Sequence, residues 1–168
     1  MIYSPSKTLY GNFKYYEVAK SSTARRLGIN NTPSAEVLER AEQVAKHILQ
    51  PVRDEFGSFT PNSWFRCEEL EKAITKTGFQ KWCNRYRMNA SLESSWQTYF
   101  ERKSHPKGEA VDFEVVGVSN IKLYEWCKTN LPAYDQLIAE FMIKDIPSAG
   151  WVHGSYSATL RMQAIEIK

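Results

Sequence analysis

The chain has 168 residues and a formal net charge of +3; 42% of its residues are hydrophobic and 13% aromatic. This length and apolar content provide for one domain with a full core and exclude a disordered chain. No apolar stretch reaches the roughly 20 residues of a membrane span, and Met1 to Tyr10 lacks a basic start followed by an apolar core, so neither a span nor a secretory signal is expected.

Taken in chain order, Thr32-Pro33 reads as an N-cap with proline at the first helical position, and Pro51 ends that helix after Gln50. Its apolar stripe is Val37, Leu38, Ala41, Val44, Ala45 and Ile48, with His47 at the stripe's edge as a structural or surface histidine. A second helix is expected from Glu68 to Thr77, closed by Gly78. Ala110 to Val116 reads as a strand that turns Ala110, Asp112 and Glu114 to one face and Val111, Phe113 and Val115 to the other. A helix from Ser119 to Asn130 follows, with Leu123, Trp126 and Cys127 inward. Two more strands put Gln136, Ile138 and Glu140 on one face, and Trp151, His153 and Ser155 on another. The layout is α+β, with N-terminal helices packed on a small mixed or antiparallel sheet in a single domain over residues 1–168. Nothing in it demands more than a monomer.

Between Lys72 and Lys107 eight basic residues face two acids, Glu93 and Glu101, a local charge of +6 interleaved with Phe79, Trp82, Tyr86, Trp96, Tyr99 and Phe100. This basic aromatic insertion, about 79–103, has three readings: single-stranded nucleic acid on cations and rings, an anionic glycan with its peptide stems, or aromatics packed on the domain. A net charge of only +3 speaks against nucleic acid, and none is expected as a partner. Cys67, Cys83 and Cys127 are odd in number and lack Cys-x-x-Cys spacing, so they read as reduced thiols.

The chemistry concentrates elsewhere. Only three histidines occur, and two of them, His105 and His153, accompany Asp112 in a pattern that suits zinc. Zinc favours imidazole nitrogen and carboxylate oxygen, and a catalytic zinc takes three protein ligands with a fourth position open. Gly108 permits a tight turn between His105 and the Asp112 strand. Two neighbouring strands then aim Asp112 and His153 at one ion.

Ser104-His105-Pro106-Lys107-Gly108-Glu109-Ala110-Val111-Asp112, followed by Gly150-Trp151-Val152-His153, resembles the zinc D-Ala-D-Ala carboxypeptidase family, which includes bacterial and phage peptidoglycan peptidases and shares its fold with hedgehog signalling domains. Ser22 to Pro33, Ile48-Leu49-Gln50-Pro51-Val52-Arg53 and Ser63-Trp64-Phe65-Arg66 resemble the branch common in phage genomes, over roughly residues 15 to 160. The resemblance implies zinc held by His105, Asp112 and His153, and makes Arg66 the cation that steadies the substrate carbonyl as negative charge grows on it. Without the motif, Arg66 reads as a surface ion pair with Glu68 or Glu69.

The chain also departs from that family. Several members place an acid three positions before the last histidine, where this chain has Gly150. Glu140 is the expected general base in its stead, with Asp145 as the fallback. Lys103 stands where the family commonly has serine, and Ser104 directly precedes His105.

The resulting expectation is a zinc metallopeptidase that cuts an amide in peptidoglycan stem peptides, as carboxypeptidase or endopeptidase, in the manner of an endolysin. It would be made in a bacterial host's cytoplasm and act on the cell wall, as a phage-encoded or virion-associated product. The alternative is a non-catalytic zinc-binding interaction domain or virion structural part with the same fold.

Overall fold

A computed structural model describes residues 3–168. The chain is mixed α and β, with two small sheets. Near the amino terminus β1 (Thr8–Tyr10) and β2 (Phe13–Lys14) pair antiparallel, ahead of the short helices α1 (Tyr15–Ala19) and α2 (Ser22–Leu27).

One long helical rod then forms from α3 (Ala35–Val44), a π-helical turn (Ala45–Leu49) and α4 (Gln50–Phe56). Its start differs from the expected Thr32-Pro33: Ser34 is the N-cap, and its Oγ accepts the Val37 N–H at 3.3 Å, while the Thr32 hydroxyl bonds Asn30 Oδ1 at 2.7 Å. Nor does Pro51 end the helix. The Gln50 N–H reaches back to the Ala45 carbonyl, so the ladder widens by one residue just before the proline. That wider turn accommodates the ring and missing N–H of Pro51, and the rod continues to Gly57. The expected stripe is buried: Leu38, Ala41, Val44, Ala45 and Ile48 are at most 3% exposed.

The rod covers one face of a four-stranded sheet made of β3 (Ala110–Phe113), β4 (Gln136–Glu140), β5 (Trp151–Ser155) and β6 (Gln163–Ile167), in the order β3-β5-β4-β6. β5 is antiparallel to both β3 and β4, and β4 is parallel to β6, which makes the sheet mixed. Val111, Phe113, Leu137 and Val152 are fully buried in the core shared with Ile48, Leu49 and Trp64. A Cβ on Gly154 would lie 3.2 Å from Ile48, a measure of how closely rod and sheet approach. α7 (Asn120–Asn130) links β3 to β4, with Ser119 as its N-cap and Leu123 and Cys127 fully buried. Burial pushes the Cys127 thiol up to about 12.

Two strand expectations need correction. The Asp112 strand stops at Phe113 instead of Val116, because the chain turns at Gly117 with φ +83°. The carboxy-terminal β6 was not anticipated: its residues are mostly exposed, so no apolar alternation announces it. It is fastened by Arg161, whose Nε and Nη2 donate to the two Asp135 oxygens at 2.6 Å each.

The segment from 68 to 103 is also more regular than expected. α5 (Glu68–Tyr86) runs through Gly78 and ends at Arg87, whose φ of +55° gives the left-handed C-cap. Gly78 instead lies against α6 (Glu93–Phe100): a Cβ there would sit 3.1 Å from the Tyr99 hydroxyl. The insertion's aromatics pack on one another, with Phe79 5.3 Å from both Trp96 and Tyr99, and Trp82 5.5 Å from Tyr99 between ring centroids. Trp96 and Tyr99 are buried, so these rings form a satellite core and not a stacking platform. Among the described residues no helix is long and apolar enough to cross a membrane.

Candidate metal centre

The register of the sheet builds the site. Asp112 pairs with His153 across β3 and β5, and Ile138 pairs with His153 across β4 and β5. Alternation therefore puts Asp112, His153 and the Glu140 side of β4 on the sheet face opposite the rod. The outer edge of β3 is held by residues 62–63: the Asp112 N–H donates to the Ser63 carbonyl at 2.7 Å, and the Asn62 N–H donates to the Asp112 carbonyl at 2.8 Å. This bonding fixes Asp112 from both sides of its strand.

His105 enters from a 3-10 turn, His105–Lys107, that ends at Gly108 with φ +78°. A Cβ on Gly108 would lie 2.5 Å from the Val37 carbonyl oxygen, so both the turn and the approach of α3 require glycine there. The Ser104 carbonyl accepts the N–H groups of Lys107 and Glu109, closing the turn around His105. His105 Nδ1 lies 2.6 Å from the Trp64 carbonyl oxygen. A carbonyl only accepts, so Nδ1 carries the proton and the lone pair of Nε2 is left facing Asp112 Oδ1 at 3.3 Å.

His153 Nδ1 is 2.9 Å from the same Asp112 oxygen. One donor atom from each of His105, Asp112 and His153 lies within 4.8 Å of the others, and the group could hold a metal ion. His105 and Asp112 are buried, and His153 is half-buried. Protonation suits that role. Burial pushes the His105 ring below the ordinary imidazole range against the pull of Asp112, which favours the neutral, ligating form. Burial opposes charge on Asp112 as well, but the two imidazoles outweigh it and hold the carboxyl well below the usual carboxylate range. Protons compete with a metal for the His105 nitrogen, whose affinity for a proton burial has lowered, so metal retention is expected to fall only at acid pH, below the ordinary imidazole range. Dialysis at graded pH followed by metal analysis checks this; retention unchanged down to about pH 4 would contradict it.

The structure brings two more of the expected residues to this group. Arg66 donates from Nη2 to Asp112 Oδ2 at 2.5 Å and from Nε to Ser63 Oγ at 2.9 Å, and its Nη1 lies 3.7 Å from Glu71 Oε2. Its partners are thus Asp112 and the buried Glu71, not Glu68 or Glu69. Glu140 Oε1 is 3.7 Å from His153 Nδ1. Burial pushes Glu140 above the ordinary carboxylate range, against the stabilising charge of His153. Asp145 is exposed in the turn closed by the Ile146 N–H on the Ile143 carbonyl, and among the described residues no ion pair or hydrogen bond ties it to the group.

Gly150 has a structural reason for being glycine. Its φ is +68°, and a Cβ there would lie 2.0 Å from the Glu140 carbonyl oxygen and 2.6 Å from the Phe141 carbonyl carbon. No acid fits at this position, and the neighbouring strand supplies Glu140 on the site's face instead. Gly150→Ala is expected to lower stability by about 3 kcal/mol, from backbone strain together with overpacking. Thermal unfolding measures it; an unchanged midpoint would contradict the clash.

His47 is not part of the site. It stacks on Tyr156 with ring centroids 4.3 Å apart and planes 6° apart. Lys103 extends over the Tyr99 ring with Nζ 4.0 Å from the centroid. All three cysteines are free thiols; Cys83 and Cys127 are buried and Cys67 is half-buried. Sequence reading missed the supporting groups Ser63, Glu71 and the Trp64 carbonyl. Ser63 and Trp64 lay inside a motif already singled out, whereas Glu71 is one of three acids in the first turn of α5 and carried no signal.

Comparison with known proteins yields no match to a family model, a curated protein or a solved structure.

Proposed function

We propose that the chain is a zinc-dependent peptidase that hydrolyses an amide bond in peptidoglycan stem peptides, on the hedgehog and DD-peptidase-like fold its motifs resemble. The observation that carries this reading is the convergence of His105 Nε2, Asp112 Oδ1 and His153 Nδ1 beside a half-buried carboxylate, Glu140, that among the described residues forms no ion pair with a lysine or arginine. A two-imidazole, one-carboxylate donor set is characteristic of catalytic zinc. When bound, zinc would supply a Lewis acid that polarises the scissile carbonyl and lowers the pKa of a water molecule.

The chain's own residues supply the rest. Glu140, held above the ordinary carboxylate range by partial burial, is placed to accept a proton from the attacking water at its carboxylate and return it to the leaving amine. Arg66 fixes the second oxygen of Asp112, and its fork has further N–H donors with which to stabilise negative charge on a carbonyl oxygen. His105 keeps its Nδ1 proton on the Trp64 carbonyl, so the ring cannot rotate without breaking a buried hydrogen bond.

A binding module that merely holds a metal has no need for a half-buried carboxylate aimed at the group, and this favours hydrolysis over the interaction-domain reading. The motifs' resemblance to phage-type peptidases suggests a product made in the host cytoplasm that acts on the wall. The test is incubation of the zinc-loaded protein with purified muropeptides and mass spectrometry of the products. Chelator-sensitive loss of one residue or peptide fragment is the expected result, and intact muropeptides would overturn the proposal.

A further inference from the structure

On the same sheet face as the candidate metal group, one alternation beyond Asp112, lies Glu114. It directly follows Phe113, the last paired residue of β3, which stands opposite Val152. The neighbouring residue on β5, Trp151, pairs on its other side with Glu140. Glu114 therefore continues the row of side chains that carries the site.

Glu114 also lines a cleft of about 910 Å³, walled by the turn Val115 to Ser119, by residues 58–60 and Asn62, and by Pro147 and Ser148. Its carboxylate is held in place by two amides. Asn62 Nδ2 donates to Oε2, and Asn120 Nδ2 donates to Oε1 at 3.0 Å. Asn120 is itself buried and anchored, donating to the Gly150 carbonyl at 2.8 Å, while its N–H donates to the Pro147 carbonyl at 2.9 Å. The carboxylate is thus oriented by neutral donors, and among the described residues no lysine, arginine or histidine forms an ion pair with it. Across the rim, Val116 is 98% exposed on a tight turn.

We infer that this cleft is a substrate subsite and that Glu114 receives a primary ammonium group carried on an aliphatic side chain of the peptide. The inference rests on the peptidase reading and deepens it. Stem peptides carry a diamino acid, whose side chain combines methylene groups with a terminal amine. The methylenes match Phe59, Val115 and Val116 in the cleft wall, and the ammonium matches a fixed carboxylate with unused lone pairs. Two neutral amides preorganise the acceptor without neutralising it, so a cationic ligand gains a charge-assisted bond with little reordering.

The test uses two synthetic stem peptides, identical except that the side-chain amine is free in one and acetylated in the other. Binding to the full chain is measured by calorimetry with a chelator present, so that turnover plays no part. The free amine is expected to bind at least about 10-fold more tightly, and Glu114→Gln, which keeps an acceptor for Asn120, is expected to bring the two affinities together. Equal affinities in the native chain, discrimination that survives in Glu114→Gln, or no binding of either peptide at millimolar concentration would each overturn the subsite. The native comparison alone decides the matter if the variant fails to fold. Amine discrimination without cleavage after zinc is added would leave the subsite standing and remove the peptidase; cleavage without amine discrimination would do the reverse.

Discussion

Glu140→Gln is expected to retain a full complement of metal while losing turnover by about two to four orders of magnitude. The glutamine keeps the shape of the side chain and can still form hydrogen bonds, but it cannot accept the proton of an attacking water. Because Glu140 stands 3.7 Å from His153 Nδ1 and outside the three converging donor atoms, its replacement leaves the metal group intact. Steady-state kinetics on a soluble stem peptide, with metal content measured on the same sample, separates the two effects. Full activity would remove Glu140 as the base. Lost metal would show instead that it belongs to the ligand set.

His105→Ala is expected to behave differently, losing metal and activity together. It removes one of three donors and leaves the Trp64 carbonyl, now buried, without the N–H that satisfies it. Metal affinity should fall by more than about 100-fold, beyond the cost of losing a group that only orients a ligand. Titration with a competing chelator measures the change. A variant that holds metal as tightly as the native chain would exclude His105 as a ligand.

The parts of the fold legible in the sequence were those written in strong periodicity. The stripe from Val37 to Ile48, the helix capped by Ser119 and the alternation on β4 and β5 bury the residues their spacing indicates, with Trp126 half-buried at the edge of the core. The metal group was legible for the same reason: alternation gives the facing of Asp112 and His153, and only the pairing register was needed to join them. Local breakers misled where tertiary packing overrode them. Pro51 is absorbed by a π-helical turn, and Gly78 serves the approach of Tyr99 within a continuing helix. Glu71 was illegible because its role depends on Arg66, just ahead of α5, meeting the helix's first turn, a contact with no sequence period. Gly150 carried a signal that was read only as a missing acid. In the structure it is the place where the backbone at Glu140 and Phe141 leaves no room for a side chain.

The central claim is that His105, Asp112 and His153 hold one metal ion, and elemental analysis of the native chain after equilibration with zinc and removal of the excess tests it most directly. One zinc per chain, falling to none in His105→Ala and unchanged in Glu140→Gln, is the result predicted. A native chain that retains no metal would contradict the account at its foundation.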